Sequence, residues 1–252
     1  MLANLKQKIP IKPFMIGYLG VLLAWSSYQA NNIYLFLNGL VIVAIYVCLD
    51  LLWTFIRNRI WYTPSSSVVS GLIIALIGAP APSALLLFLM PAIAVASKQL
   101  IKLRRGGRHI FNPAAFSLFL LSVAGYPAIT WWGVASGGIL PHVLFIAGLF
   151  IWWRQSRFET AISFFVLYAT ILALFTSNLS TQLYDGTVIF FASVMLIEPL
   201  TSSFPRRTNR IIYGIIVGAV AALSSFFANL LPYDPLILGL LLGNLIISLK
   251  TK

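Results

Sequence analysis

Apolar runs broken by short polar stretches dominate the chain. Their lengths and spacing predict ten membrane-type helices near 13–30, 33–56, 67–79, 83–103, 112–125, 138–153, 158–176, 186–198, 208–230 and 235–249. The distribution of basic residues tests this count. With ten spans and a cytoplasmic N-terminus, every one of the 17 Lys and Arg residues falls on the cytoplasmic side. The loops near 31–32, 80–82, 126–137, 177–185 and 231–234 carry none, and two of them carry Asp185 and Asp234. One span more or fewer would scramble this separation. Both termini are therefore expected inside.

Four of the runs, at 67–79, 112–125, 186–198 and 235–249, are short for a hydrocarbon core of about 30 Å. They occupy the third, fifth, eighth and tenth places, which correspond if the chain is two halves of five. The halves also share a motif. FNPAAFSLFL opens the fifth segment at Phe111 and YDPLILGLLL opens the tenth at Tyr233. Halves of five spans must lie in opposite orientation, so the pattern predicts an inverted repeat with a site near its centre. The first repeat is expected over 1–125 and the second over 138–252, together making a single membrane domain over 1–252.

Composition agrees with this picture. The chain has 252 residues, 60% hydrophobic and 9% charged, against about 25% charged in a soluble domain. The net charge of +12 is explained by orientation and does not call for nucleic acid. The N-terminus, with Lys6, Lys8 and Lys12 before an apolar stretch, is similar to a signal peptide. Tyr28 is too large for the cleavage position before Ala30, so the segment is expected to be the first span. A single cysteine, Cys48, excludes an internal disulfide and a four-cysteine iron–sulfur site; it is expected to be buried and inert. His109 and His142 fall at opposite faces, which argues against a self-contained metal or haem centre. No Walker loop, zinc signature or Ser-His-Asp set is present.

Few residues remain to carry chemistry. Asn112-Pro113 and Asp234-Pro235 each join a capping side chain to a helix-starting proline. They read either as plain caps or as helix starts that present free N–H groups to a bound polar or anionic group. Glu198, ahead of Pro199 and Thr201, reads as an acid paired with Arg206 or Arg207, or as part of a polar site shared with the Pro80–Ser83 break. Asp50, deep in the second span, is costly there; it reads as functional, or as snorkelling or pairing with an arginine such as Arg57. Trp131, Trp132, Trp152, Trp153, Phe190 and Phe191 are expected mostly to form interface belts and lipid-facing bulk.

The run from Lys98 through Gly106-Gly107 to Phe111-Asn112-Pro113-Ala114 resembles the signature of the RnfD/NqrB family. Its members are membrane components of the Rnf ferredoxin:NAD oxidoreductase complex and of the sodium-pumping NADH:quinone oxidoreductase. Residues 125–131 (GYPAITW) and the DG…M…EPLTS run from Asp185 to Ser202 look like further segments of that family, with Glu198-Pro199 where Asp-Pro is usual. The likeness covers roughly 60–250. It implies an all-α, polytopic, urea-channel-like fold of ten helices in the inner (cytoplasmic) membrane. It implies flavin, either FMN or riboflavin, and electron transport coupled to Na⁺ or H⁺ movement. Partners would be other membrane and cytoplasmic subunits, including an NADH or ferredoxin reductase. Residues implied in cofactor binding are Lys98, Gly107, Phe111, Asn112, Pro113, Glu198, Thr201 and Asp234.

One departure qualifies the resemblance. The family's covalent attachment motif has no counterpart with an acceptor Thr in TWWGVASGGILP (130–141). Covalent FMN is therefore not expected, and any flavin is expected to be held noncovalently. The alternative is a small-solute channel or transporter on the same scaffold without redox chemistry.

Overall fold

The structure is a computed structural model that describes residues 10–80, 82–103, 108–135, 138–175, 179–202, 204, 206–230 and 232–250. Among these residues the regular structure is helical apart from two isolated bridges, Gly78 with Ile129 and Lys102 with His109. Ten helical segments of ten residues or more follow one another: α1 (Ile11–Gln29), α2 (Ile33–Asn58), α3 (Ser65–Ile77), α4 (Ala84–Leu100), α5 (Pro113–Val123), α6 (Leu140–Gln155), α7 (Phe158–Phe175), α8 (Gly186–Met195), α9 (Arg207–Ser225) and α10 (Pro235–Lys250). Each coincides with one of the ten apolar runs. Among the described residues, α2, α7 and α9 are long and apolar enough to cross a membrane on length and composition alone. They mark the chain as a membrane protein. Its outward faces agree: Val21, Leu52, Ile56, Ile146 and Val166 all stand exposed, where a soluble protein would put polar groups.

Local chemistry sets the helix ends. Asn32 caps α2 by accepting the Tyr34 N–H at 3.0 Å, and α2 stops where Arg59 turns left-handed at φ 57°. Asn112 caps α5 from the Ala115 N–H at 3.0 Å, with Pro113 at the first position. Asp234 caps α10 from the Ile237 N–H at 3.0 Å, and Asp185 caps α8 from Thr187. The last five residues of α8, Phe191–Met195, widen into a π-helical turn. There Trp152 of α6 donates to the Ala192 carbonyl at 3.1 Å.

In the first half α1 packs on α3, α2 on α3 and α4, and α4 on α5. In the second half α6 packs on α8, α7 on α9, and α9 on α10. Phe119 of α5 meets Tyr233, just before α10, with ring centroids 5.4 Å apart. Ser122 at the end of α5 shares a cleft with Asp234. The start of α10 therefore lies beside the end of α5, and the two helices run antiparallel.

The short α3 spans about 20 Å at about 1.5 Å per residue, and its end would leave carbonyls bare. The segment after α5 folds back to satisfy them. Thr130 and Trp131 donate backbone N–H groups to Ile77 and Gly133 donates to Leu76. The Trp132 indole takes the Ala75 carbonyl at 2.8 Å and the Thr130 hydroxyl takes that of Gly78 at 2.7 Å. Irregular backbone at this depth is tolerable because protein covers it.

Several expectations about facing are corrected. Cys48 is exposed, on the outward side of α2. Trp131, Trp152, Phe190 and Phe191 are buried in the core and do not form a belt. The helices that carry Trp152, Phe190 and Phe191 are apolar nearly all round, so their sequences do not mark which face turns inward. His109, expected at an interface, is buried. Gly106-Gly107 of the family signature lies outside the described residues, as does Ser136-Gly137.

Candidate functional site

Two ends of the bundle differ in chemistry. At one end meet the finish of α2, the start of α3, the finish of α4, the paired segments 101–103 and 108–110, the finish of α8 and the starts of α7 and α9. This is the basic end. At the other end Trp131 donates its indole N–H to Asp234 at 2.8 Å. A cleft of about 350 Å³ there is lined by Tyr168, Gln182, Asp185, Thr187, Ser225 and Asp234, among others.

The basic end holds a buried ion pair. Asp50 is fully buried, and Lys98 of α4, 13% exposed, contacts its Oδ2 at 2.6 Å. The same oxygen accepts the Tyr62 and Ser67 hydroxyls. Its partner Oδ1 accepts the Gln99 side-chain amide at 2.6 Å. Lys98 also donates to Ser67 at 3.1 Å and Ser66 at 3.3 Å, and Lys102 donates to the Gln99 carbonyl oxygen at 3.0 Å. Burial and the Asp50 carboxylate push the Tyr62 hydroxyl up to about 12, so it stays a donor at any physiological pH. The pair corrects two expectations: Lys98 is not a surface orientation charge, and Asp50 neither snorkels nor pairs with an arginine.

Beside this pair stands Glu198, at the end of α8. Thr201 donates to its Oε2 at 3.2 Å, and Ser202 donates to its backbone carbonyl at 2.7 Å. His109 Nε2 lies 3.5 Å from Glu198 Oε1, an ion-pair contact when the ring is protonated but outside hydrogen-bond geometry. The expected pairing with Arg206 or Arg207 is not made; Arg207 contacts Glu159 at 3.4 Å instead. Tyr46 of α2 is fully buried within electrostatic reach of both Asp50 and Glu198. Lys98 Nζ sits 5.9 Å from its ring centre, which adds a cation–π contact.

Three polar atoms here are buried without a hydrogen-bond partner: the Tyr46 hydroxyl, the Ser97 hydroxyl and His109 Nε2. Ser70 stands near the Tyr46 hydroxyl but outside hydrogen-bond geometry. Buried polar groups are nearly always satisfied. Two of these orphans, Tyr46 and His109, stand about the Glu198 carboxylate and mark a place where another group can bind.

The sequence-derived residues divide between the two ends. Lys98, Asn112, Glu198 and Thr201 belong to the basic end. Phe111 stacks on Phe116 at 5.3 Å beside the buried cap Asn112 and Pro113. Gly107 lies outside the described residues. Asp234 stands at the other end of α5, which at 11 residues is about 16 Å long. Asn112 and Asp234 thus do not converge on one ring. Tyr46, Ser67, Ser97 and Gln99 are added by the fold. The serine run 65–67 was the one hint of them in the sequence. Among the described residues no group of three or more metal-ligating side chains gathers.

Neither a protein-family model nor a curated protein matches the chain.

Proposed function

We propose that the chain is an electron-transfer component of a membrane complex, similar to members of the RnfD/NqrB family, that holds a flavin noncovalently at the basic end. The carrying observation is the contact between the two segments on which the resemblance rests. His109, next to Phe111-Asn112-Pro113, stands against Glu198 of the EPLTS run, although 89 residues separate them. The fit to a flavin is supported by the chemistry of the orphans. A hydroxyl from Tyr46, a hydroxyl from Ser97 and the imidazole of His109 offer the donors and acceptors that a planar heterocycle's carbonyls and ring nitrogens need in an apolar surround. When bound, a flavin supplies reversible one- and two-electron chemistry. The chain's own part is to orient it through Tyr46 and His109 and to hold Glu198 in place through Thr201. The Asp50–Lys98 pair keeps a rigid floor beneath.

The same order of helix packing in both halves, with antiparallel α5 and α10, supports two inverted five-helix repeats. All ten helices would then cross the inner membrane, with the basic end and both termini in the cytoplasm. Electron donors would be partner proteins on that side, such as an NADH or ferredoxin reductase.

The test is direct. Protein purified from flavin-replete cells should show a flavin absorption band and release free FMN or riboflavin on acid denaturation. Tyr46→Phe and His109→Gln together should lower the bound fraction at least severalfold. A colourless wild-type preparation would remove the proposal.

Two clefts that meet at Asp234, of about 350 Å³ and 270 Å³, favour a second function, a small-solute channel or transporter. It predicts protein-dependent flux of a small neutral solute into liposomes, with no flux above empty liposomes as the negative result.

A further inference from the structure

A second buried cluster at the basic end has the opposite balance from the Asp50–Lys98 network. Arg157 lies between α6 and α7 and is 7% exposed. Its Nε and Nη1 are buried and have no hydrogen-bond partner. Arg210 of α9 lies within electrostatic reach and repels it. The Nε of Arg210 is also buried without a partner, as are the Asn244 side-chain Nδ2 and the Thr160 hydroxyl. These groups surround Tyr213, whose hydroxyl donates to Asn244 Oδ1 at 2.7 Å.

Two carboxylates lie near, Glu159 and, within electrostatic reach of Tyr213, Glu198, and neither pairs with Arg157. Glu159 Oε1 takes Arg207 at 3.4 Å and Arg210 at 3.5 Å, and among the described residues no carboxylate comes within ion-pair distance of Arg157. The starts of α7 and α9 meet here, since Gly214 packs against the Thr160 carbonyl. Their positive ends add to the same sign, and Arg206 gives α9 no side-chain cap. Burial and the Arg210 charge push the Arg157 guanidinium below its ordinary value, as expected for a cation without its counter-ion.

A buried guanidinium with unpaired N–H groups is costly. Several donors at fixed positions, two on planar forks, match an anion with several acceptor oxygens. We propose that the cluster where the starts of α7 and α9 meet is a binding site for a phosphate-class oxyanion, gripped by Arg157 and Arg210 with Asn244 as a further donor. The phosphate is carried by an anionic phospholipid headgroup or by a soluble phosphate compound. The site lies on different helices from the orphans around Glu198 and does not depend on flavin.

Delipidated full-length protein in neutral detergent gives the test, with chloride used to hold ionic strength constant. One arm titrates inorganic phosphate and follows thermal unfolding by tryptophan fluorescence. The other adds phosphatidylglycerol or phosphatidylcholine and counts retained lipids by native mass spectrometry. Wild type should show saturable stabilisation by phosphate, or retention of phosphatidylglycerol over phosphatidylcholine, and the responding arm identifies the source. Arg157→Met and Arg210→Met should each weaken binding at least tenfold, Arg157→Lys less so, and the exposed control Arg57→Met not at all. If Arg157→Met does not fold, Arg157→Lys and the wild-type titration decide. No response of wild type in either arm overturns the proposal. So does equal binding by wild type and every arginine variant.

Discussion

The two buried charge clusters at the basic end invite direct comparison. In the first half, Asp50 and Lys98 share a carboxylate, an ammonium, three hydroxyls and an amide with nearly every donor and acceptor used. In the second half, Arg157 and Arg210 leave three guanidinium nitrogens without partners. The same end of the bundle thus carries one closed network and one open one. A closed network fixes how three helices meet and leaves nothing for a ligand to gain. An open one gives up stability in the empty protein and recovers it on binding, by mass action.

The largest effect expected from this contrast is at Asp50. Asp50→Ala leaves Lys98 buried and unpaired, which costs about 3–5 kcal/mol. Unfolding in detergent should begin at a much lower temperature, with lower yield. The double variant Asp50→Leu, Lys98→Met should recover most of the loss, because the uncompensated charge is gone. A double variant as unstable as the single one would mean that hydrogen-bond geometry dominates over charge.

Next is the α7–α9 contact that frames the open cluster. A Cβ on Gly214 meets the Ser163 hydroxyl and the Thr160 carbonyl, and the carbonyl is backbone that cannot swing away. Gly214→Val should cost about 1–3 kcal/mol by overpacking and should weaken any phosphate stabilisation as the helix starts part. Gly17, whose added Cβ meets nothing within 4 Å, provides the control: Gly17→Ala should be neutral or slightly stabilising.

What could be read from the sequence follows the reach of each interaction. Helix positions are set by local apolar runs, so the segment expected at 33–56 is Ile33–Asn58 and that at 235–249 is Pro235–Lys250. The caps Asn112 and Asp234 were legible for the same reason, since a cap needs only its own next three residues. Asp50 and Lys98 are 48 residues apart, and no spacing within either helix announces that they meet. His109 looked interfacial because charge precedes it, yet the Lys102–His109 bridge folds it inward onto Glu198. Arg157 gave no sign of burial in the sequence, because burial at a helix end depends on which helix packs over it.

Asn112 tests the local end of this range. Its side chain closes one backbone N–H at the start of a short buried helix. Asn112→Ala should cost about 1 kcal/mol, and Asn112→Ser, which keeps an acceptor of similar reach, should recover much of it. Both effects should appear in the unfolding temperature of detergent-solubilised protein. A loss well beyond this in Asn112→Ala, not recovered by Ser, would show that the amide holds more than its helix.

The smallest effect expected separates exposed from buried arginine within the open cluster. Arg207 contacts the same Glu159 oxygen as Arg210, at 3.4 Å, but its side chain is 74% exposed. An ion pair in that setting contributes about 0–1 kcal/mol and is screened further by salt. Arg207→Ala should therefore change the unfolding temperature little at low ionic strength and not at all near 0.5 M salt, roughly where the Debye length falls to a few ångströms. Glu159 would turn wholly to Arg210, leaving Arg157 as unbalanced as before, and stabilisation by phosphate should persist. If Arg207→Ala instead abolishes that stabilisation while Arg157→Lys does not, the anion sits at the surface of the bundle, and the distinction between a closed and an open buried cluster fails.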